Sequence, residues 1–241
     1  LRKEDTSVLL VYADNSNKDK QTASPEFKNW FGNSKVVDDS GEPLVMYHGT
    51  EKEFDEFDPD IDSKSTQLYY GKGAYFSYIP ELASGYAGKT GSVYSVYLSV
   101  ENPMYFGGLA DQELWSKTAS EVFNKYASKH NFENKIEEFE EAVDKWNRMY
   151  LKGEETSNET MWYAYANFMS SLNERKHIQD FARDIVKEMG HDSVASETQD
   201  KKGKQTFVAF YAEQVKSSIA NTGDFDSDNP KITHAKSDCG A

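Results

Sequence analysis

The period of the apolar residues changes twice along this chain, and that change limits the fold more than any other feature. From Ser92 to Val100 the pattern is that of a strand: Tyr94, Val96, Leu98 and Val100 share one face, while Val93 and Ser95 take the other. From Leu109 to Met189 the spacing becomes helical, as in Leu114, Val122 and Tyr126, or Ile136, Phe139, Val143 and Trp146. This predicts about four helices, over Asp111 to Lys129, Glu133 to Leu151, Glu159 to Leu172 and Arg175 to Met189. Strand character returns at Ser193 to Ala195 and Thr206 to Tyr211. A helical block between strand-rich parts is an α+β arrangement. At 241 residues the chain is long enough for one domain with an insertion and a sizeable core.

Local signals fill in the rest. Ser24-Pro25-Glu26-Phe27 starts a helix, with Ser24 as cap and Pro25 in the first helical position. Phe27, Trp30 and Phe31 form its apolar face, and Gly32 ends it. Val36-Val37 reads as a strand, Asp39-Ser40-Gly41-Glu42 as a turn, and Pro43 to His48 as a second strand. Residues 51–68 are polar and irregular, with Phe54 and Phe57 as anchors; Pro80 to Tyr86 reads as a helix. Before position 24 stand a short apolar run, Val8 to Tyr12, suited to an edge strand, and a polar stretch, Asp14 to Thr22, suited to a linker. The stretch from Asp224 to Ala241 reads as loosely held. The expected organisation is an extension at 1–23, one domain at 24–232 with a helical insertion at about 107–190, and a tail at 233–241.

Charge and cysteine content exclude several functions. Lys plus Arg number 27 against 41 Asp plus Glu, a formal charge of −14, so counterion release cannot drive generic nucleic-acid binding. Lys117, Lys125, Lys129, Lys135 and Lys145 are interleaved with Glu and read as a solvated helix face. Cys239 is the single cysteine, which rules out an internal disulfide and a cysteine metal site and suits the reducing cytoplasm. His130, His177, His191 and His234 lack ligand spacing, so no metal is expected. No apolar run is long enough to span a bilayer, and Leu1 to Asp5 carry no signal region. The chain begins without Met and is expected to be a piece of something longer.

Three segments carry chemistry. Met46-Tyr47-His48-Gly49-Thr50 puts an imidazole at a strand end, with Gly49 letting a ligand approach the backbone N–H and C=O. Alone, it reads more readily as a capped strand with a structural histidine. Tyr69-Tyr70-Gly71-Lys72-Gly73-Ala74-Tyr75-Phe76-Ser77 is a glycine-bounded turn and a short strand, followed by Ala83-Ser84-Gly85-Tyr86. It is not a phosphate-binding loop of the Walker type, and clustered tyrosines are common in cores. The third segment is Gln205 to Tyr211, leading into Glu213-Gln214-Val215-Lys216-Ser217.

In this order the three resemble the ADP-ribosyltransferases of the diphtheria-toxin and poly(ADP-ribose) polymerase type, whose signature is a His, a Tyr and a third residue, often Glu, on three strands. Phe27-Lys28-Asn29-Trp30-Phe31-Gly32-Asn33-Ser34-Lys35, Gly41-Glu42-Pro43-Leu44, Glu101-Asn102-Pro103, Gln214-Val215-Lys216-Ser217 and Asn221-Thr222-Gly223-Asp224-Phe225-Asp226 sharpen the resemblance toward such domains in phage and mobile-element polyvalent proteins. It covers about residues 24–106 and 190–232 and leaves the helical block unexplained.

The resemblance implies a split, mostly antiparallel sheet that holds NAD⁺ as substrate, without a metal. His48 would bond the adenine-side ribose, and Gly49 would hold the nicotinamide amide. Thr50 would support the His48 loop. Tyr75 and Tyr86 would sandwich the nicotinamide ring, with Phe76, Ser77 and Ser84 beside it. Two positions depart from the polymerases: Ala83 stands where they have a ligand-binding Ser, leaving Ser84 to replace it, and Thr206 stands where they have Glu. Gln205 is the alternative third catalytic residue, and Gln214 the next. Loss of that Glu goes with transfer of single ADP-ribose units in the family. The implied function is mono-ADP-ribosylation of a macromolecule, chiefly protein, with an NAD⁺ glycohydrolase or a binding module without turnover as alternatives. Toxin, host-takeover factor and defence protein all fit this reading.

Overall fold

A computed structural model describes residues 20–61, 70–150, 156–172, 177–197, 205–221, 223 and 225–233. The Val8 to Tyr12 run lies outside the described residues. Residues 20–22, at the end of the segment read as a linker, are helical, and the buried Gln21 donates to Asn221 O at 2.6 Å.

Helix α1 (Pro25–Phe31) follows its local signals: the Ser24 side chain accepts from Phe27 N, Pro25 opens the helix, and Gly32 closes it. Val37 and Pro43 pair only as an isolated bridge around a turn, so the strand expected from Pro43 begins at Met46. One sheet holds β1 (Met46–Thr50), β3 (Ser92–Leu98) and β7 (Val215–Ser217), with β3 central and both pairings antiparallel. The other runs β2 (Ala74–Phe76), β6 (Gln205–Ala209), β5 (Ser193–Glu197), β4 (Pro103–Tyr105). Its pairs are antiparallel except β4–β5, which is parallel. A short helix, α2 (Pro80–Ala87), follows β2.

The helical block is α3 (Gln112–His130), α4 (Ile136–Tyr150), α5 (Asn158–Ser171) and α6 (Ile178–Glu188), with a short 3-10 turn at Glu133–Lys135. It leaves after β4 and returns at β5. Neighbouring parallel strands need a crossover, because the chain must come back to the same end of the sheet. The segment read as an insertion supplies that crossover.

Period two decides which core each strand residue joins. On β6, Val208 sits in the core under the helical block with Trp115, Phe123, Phe181 and Ile185. Phe207 and Ala209 point the other way, into a core shared with Met46, Val96, Leu98 and Val215 of the first sheet. The two sheets therefore pack face to face, and Tyr47 and Ser77 exchange backbone hydrogen bonds (2.7 and 2.9 Å) where they join. On β3, Tyr97 faces outward onto Phe27, Trp30, Phe31 and Phe225. Phe225 and Ile232 are buried, so the stretch expected to be loose is anchored at these two residues; Ile232 accepts from Ser217 N and donates to Asp55 O.

Candidate active site

Strand alternation orients the candidate residues. Tyr47 gives both its N–H and its C=O to Ser77 across the join. Backbone groups two residues apart on a strand point to the same side, so those of Gly49 also point away from β3, into the gap where β1 and β2 diverge. His48 lies between them, and its backbone is opposite Tyr94 of β3.

The His48 ring packs against Phe54, Phe57 and Phe76, with ring centroids at 6.1, 5.0 and 5.5 Å. Its Nδ1 stands 2.7 Å from Tyr75 O. A carbonyl only accepts, so Nδ1 carries the proton and Nε2 presents a lone pair. Burial lowers the His48 pKa below its ordinary value, against an opposing effect of the Tyr75 carbonyl. The ring is thus a neutral acceptor at neutral pH, suited to a ligand hydroxyl.

Tyr75 fixes the second side of the gap. Its hydroxyl donates to Gly71 O at 2.6 Å and accepts from Tyr70 N at 3.2 Å, while the Tyr70 ring stacks on it at 6.3 Å. Burial pushes its phenol far above the ordinary value, against a lowering by the Tyr70 backbone hydrogen bond and with smaller raising effects of the Tyr70 and Tyr86 side chains. Tyr75 is a packed surface and not a base. Tyr70 lies in the glycine-bounded segment but takes no role from its sequence; it reaches Tyr75 because Gly71 bends the chain back at φ +90°.

α2 lies directly on β1. A Cβ at Gly49 would fall 1.7 Å from Ala83 O, so only glycine permits this approach. Ala83 is buried in that contact, and Tyr86, a turn further along, is 71% exposed.

The other expected residues take different roles. Phe76, expected beside the ligand, is buried between the sheets among Phe57 and Phe207, because its neighbour Tyr75 takes the opposite face. Ser77 is buried, joins β1 to the second sheet, and accepts from Ile79 N through Oγ. Ser84 spends its hydroxyl proton on Pro80 O (2.9 Å) within its own helix, which leaves it only lone pairs for a ligand. Thr50 Oγ1 accepts from Lys52 N at 3.2 Å and so braces the turn after His48.

Thr206 pairs with Ser196 and, by alternation, shares the face of Val208, which is opposite Tyr75. Thr206 is thus on the Tyr75 side of the sheet and half-buried. The Gln205 backbone pairs with Glu197, and its side chain lies outside the described residues. Gln214, the next candidate, is a structural clamp. Its Oε1 accepts from Phe210 N and Tyr211 N (both 3.0 Å), and its Nε2 donates to Ser99 O and Asp192 O (3.2 and 3.3 Å). All its hydrogen-bonding capacity in these directions is used to hold three chain segments together. Among the described residues, no group of three or more His, Cys, Asp or Glu could hold a metal ion, and no helix is long and apolar enough to cross a membrane.

A family profile described as "ADP-Ribosyltransferase in polyvalent proteins" matches residues 38–225. The match runs through the helical block, which the motif words alone did not cover. No curated protein matches this chain. A solved structure titled "Crystal structure of an anti-CRISPR protein" is similar at 14% identity, over 69% of this chain and 88% of its own, with a TM-score of 0.36.

Proposed function

This chain belongs to the ADP-ribosyltransferase domains of polyvalent proteins, and on that premise we propose that it transfers a single ADP-ribose from NAD⁺ to a macromolecular acceptor, a protein, and releases nicotinamide. The observation that carries the reading is the His48 tautomer. With Nδ1–H committed to Tyr75 O, Nε2 is an acceptor for a ribose hydroxyl, and the adjacent Gly49 N–H and C=O can take a carboxamide.

In this reading the bond from ribose C1′ to the nicotinamide nitrogen breaks, and its electron pair leaves with nicotinamide. An acceptor nucleophile then bonds to C1′ and gives its proton to solvent or to a neighbouring base. The cation that develops at C1′ needs positioning and shielding more than covalent help. Tyr75 and Tyr86 flank the nicotinamide, and Thr206 orients the ribose. A threonine is a poor base, which favours single-unit transfer. NAD⁺ is an intracellular metabolite, so we place the action inside a cell, as a phage or mobile-element effector acting in the cytoplasm.

The test is incubation of the purified chain with tagged NAD⁺ and cell lysate, followed by measurement of free nicotinamide and protein-bound tag. Release together with labelling of proteins is expected. Release without labelling would replace transfer by NAD⁺ hydrolysis. Neither release nor labelling would leave a binding module.

A further inference from the structure

The helical block reaches the candidate site through a short chain of ion pairs. The Gly71-Lys72-Gly73 turn, which leads into β2, is docked on α6. Lys72 N donates to Gln179 O at 3.2 Å, and a Cβ at Gly71 would stand 3.1 Å from the Trp162 ring and 3.5 Å from Arg183 N. Lys72 Nζ is 3.2 Å from Asp180 Oδ1. The same oxygen lies 3.6 Å from Arg183 Nη2. Arg183 Nη1 in turn donates to Asp60 Oδ1 at 2.5 Å. Asp60 belongs to the loop after β1, which also carries Phe54 and Phe57 against His48.

These four side chains connect both walls of the gap. One wall holds Gly71, whose carbonyl takes the Tyr75 hydroxyl; the other holds the rings that surround His48. α6 anchors both. Exposed ion pairs are worth little, but here the Lys72 and Arg183 side chains are only 12% and 11% exposed. Partly buried cations lose more when their partner is removed, because water cannot replace it fully. The Arg183 guanidinium also holds the Asp60 carboxyl below its ordinary pKa, the largest effect on that group.

We propose that Asp180 and Arg183 are positioning residues for NAD⁺, holding from α6 the Gly71–Gly73 turn and the Asp60 loop at the separation that lets His48 and Tyr75 meet. The proposal rests on the functional reading above. It gives the helical block a task at the site: the crossover helices set the shape of the pocket without touching the ligand. Their effect falls on binding more than on the chemical step.

The experiment uses the full chain with Asp180→Ala, Asp60→Ala and Asp60→Glu, and reads nicotinamide release and amide hydrogen exchange without ligand. Asp180→Ala should raise KM for NAD⁺ about tenfold with kcat within about twofold, the scale of coupling through packed networks. It should also speed exchange across residues 70–76. Asp60 is 69% exposed, so its removal does not threaten folding. Asp60→Ala should still raise KM, and Asp60→Glu should restore it. Unchanged KM in both alanine variants, or unchanged exchange at 70–76 in Asp180→Ala, would overturn the proposal. A wild-type chain that neither binds nor cleaves NAD⁺ would overturn the functional reading instead, and the exchange comparison would still decide whether α6 positions the turn.

Discussion

The His48 imidazole donates through Nδ1 to the main-chain carbonyl of Tyr75, 2.7 Å away, and thereby ties the first sheet to the second beside the gap between them. This hydrogen bond sets the tautomer of the ring and the direction of its free nitrogen, and adds to the Tyr47–Ser77 pair that joins the two strands.

The pH dependence follows from that burial. The folded pKa of His48 is lowered from its ordinary 6.5. Below that value the unfolded chain takes up a proton that the folded chain refuses. The contribution of His48 to stability is therefore complete above pH 6.5 and is lost as pH falls toward the folded pKa. Melting temperature should drop on acidification more steeply in the wild type than in His48→Gln. NAD⁺ affinity should hold through that window and fall only as pH passes the lower, folded pKa, because a protonated Nε2 cannot accept. Equal slopes in the two proteins would show that His48 is not the titrating group.

Tyr86→Ala should weaken NAD⁺ binding by about 1–2 kcal/mol, the scale of aromatic pairing. Its melting temperature without ligand should stay at the wild-type value, since the ring is 71% exposed. Tyr86→Phe should bind nearly normally. Calorimetry giving Tyr86→Ala the wild-type affinity would remove this ring from the pocket.

Gly49→Ala should be costly to the fold. The new methyl would meet Ala83 O at 1.7 Å, so α2 must move off β1, a strain of about 1–3 kcal/mol by analogy with overpacked cores. Denaturant unfolding measures it. A variant as stable as the wild type would mean that α2 shifts freely, and Tyr86 with it.

Gln214→Ala and Thr206→Ala should separate structure from chemistry. Removing the Gln214 amide leaves two N–H groups and two carbonyls without this partner, at a cost of about 2–4 kcal/mol in unfolding free energy. Thr206→Ala should instead lower turnover with little change in stability, and Thr206→Glu should raise turnover about tenfold or more by supplying a base. Long ADP-ribose chains made by the wild type would refute single-unit transfer. If neither Thr206→Ala nor Gln205→Ala slows turnover, the third catalytic residue lies off β6.

The candidate site was legible only where its signals are short. His48, Gly49, Tyr75 and Tyr86 stand in two compact motifs, and the structure brings His48 and Tyr75 together by a direct hydrogen bond. The motifs did not separate ligand-facing from core-facing neighbours. Phe76 belongs to the core because strand alternation turns it away from Tyr75, and Ser84 bonds its own helix. Gln214 looked like a candidate by its place after β6; its four hydrogen-bonded groups lie in three separated segments that no local pattern relates.

By itself, the sequence determined those elements whose causes are local. Ser24, Pro25 and Gly32 delimit α1 within a few residues, the 3.6-residue period marks the crossover helices, and the period of two marks β3, because capping and amphipathicity act over one or two turns. Only the tertiary structure decided that β4 and β5 run parallel, that both faces of β6 are buried in different cores, and that Lys72 meets Asp180. These contacts join residues far apart in the chain. Their energy depends on distance and burial in the folded state, which no window of sequence contains.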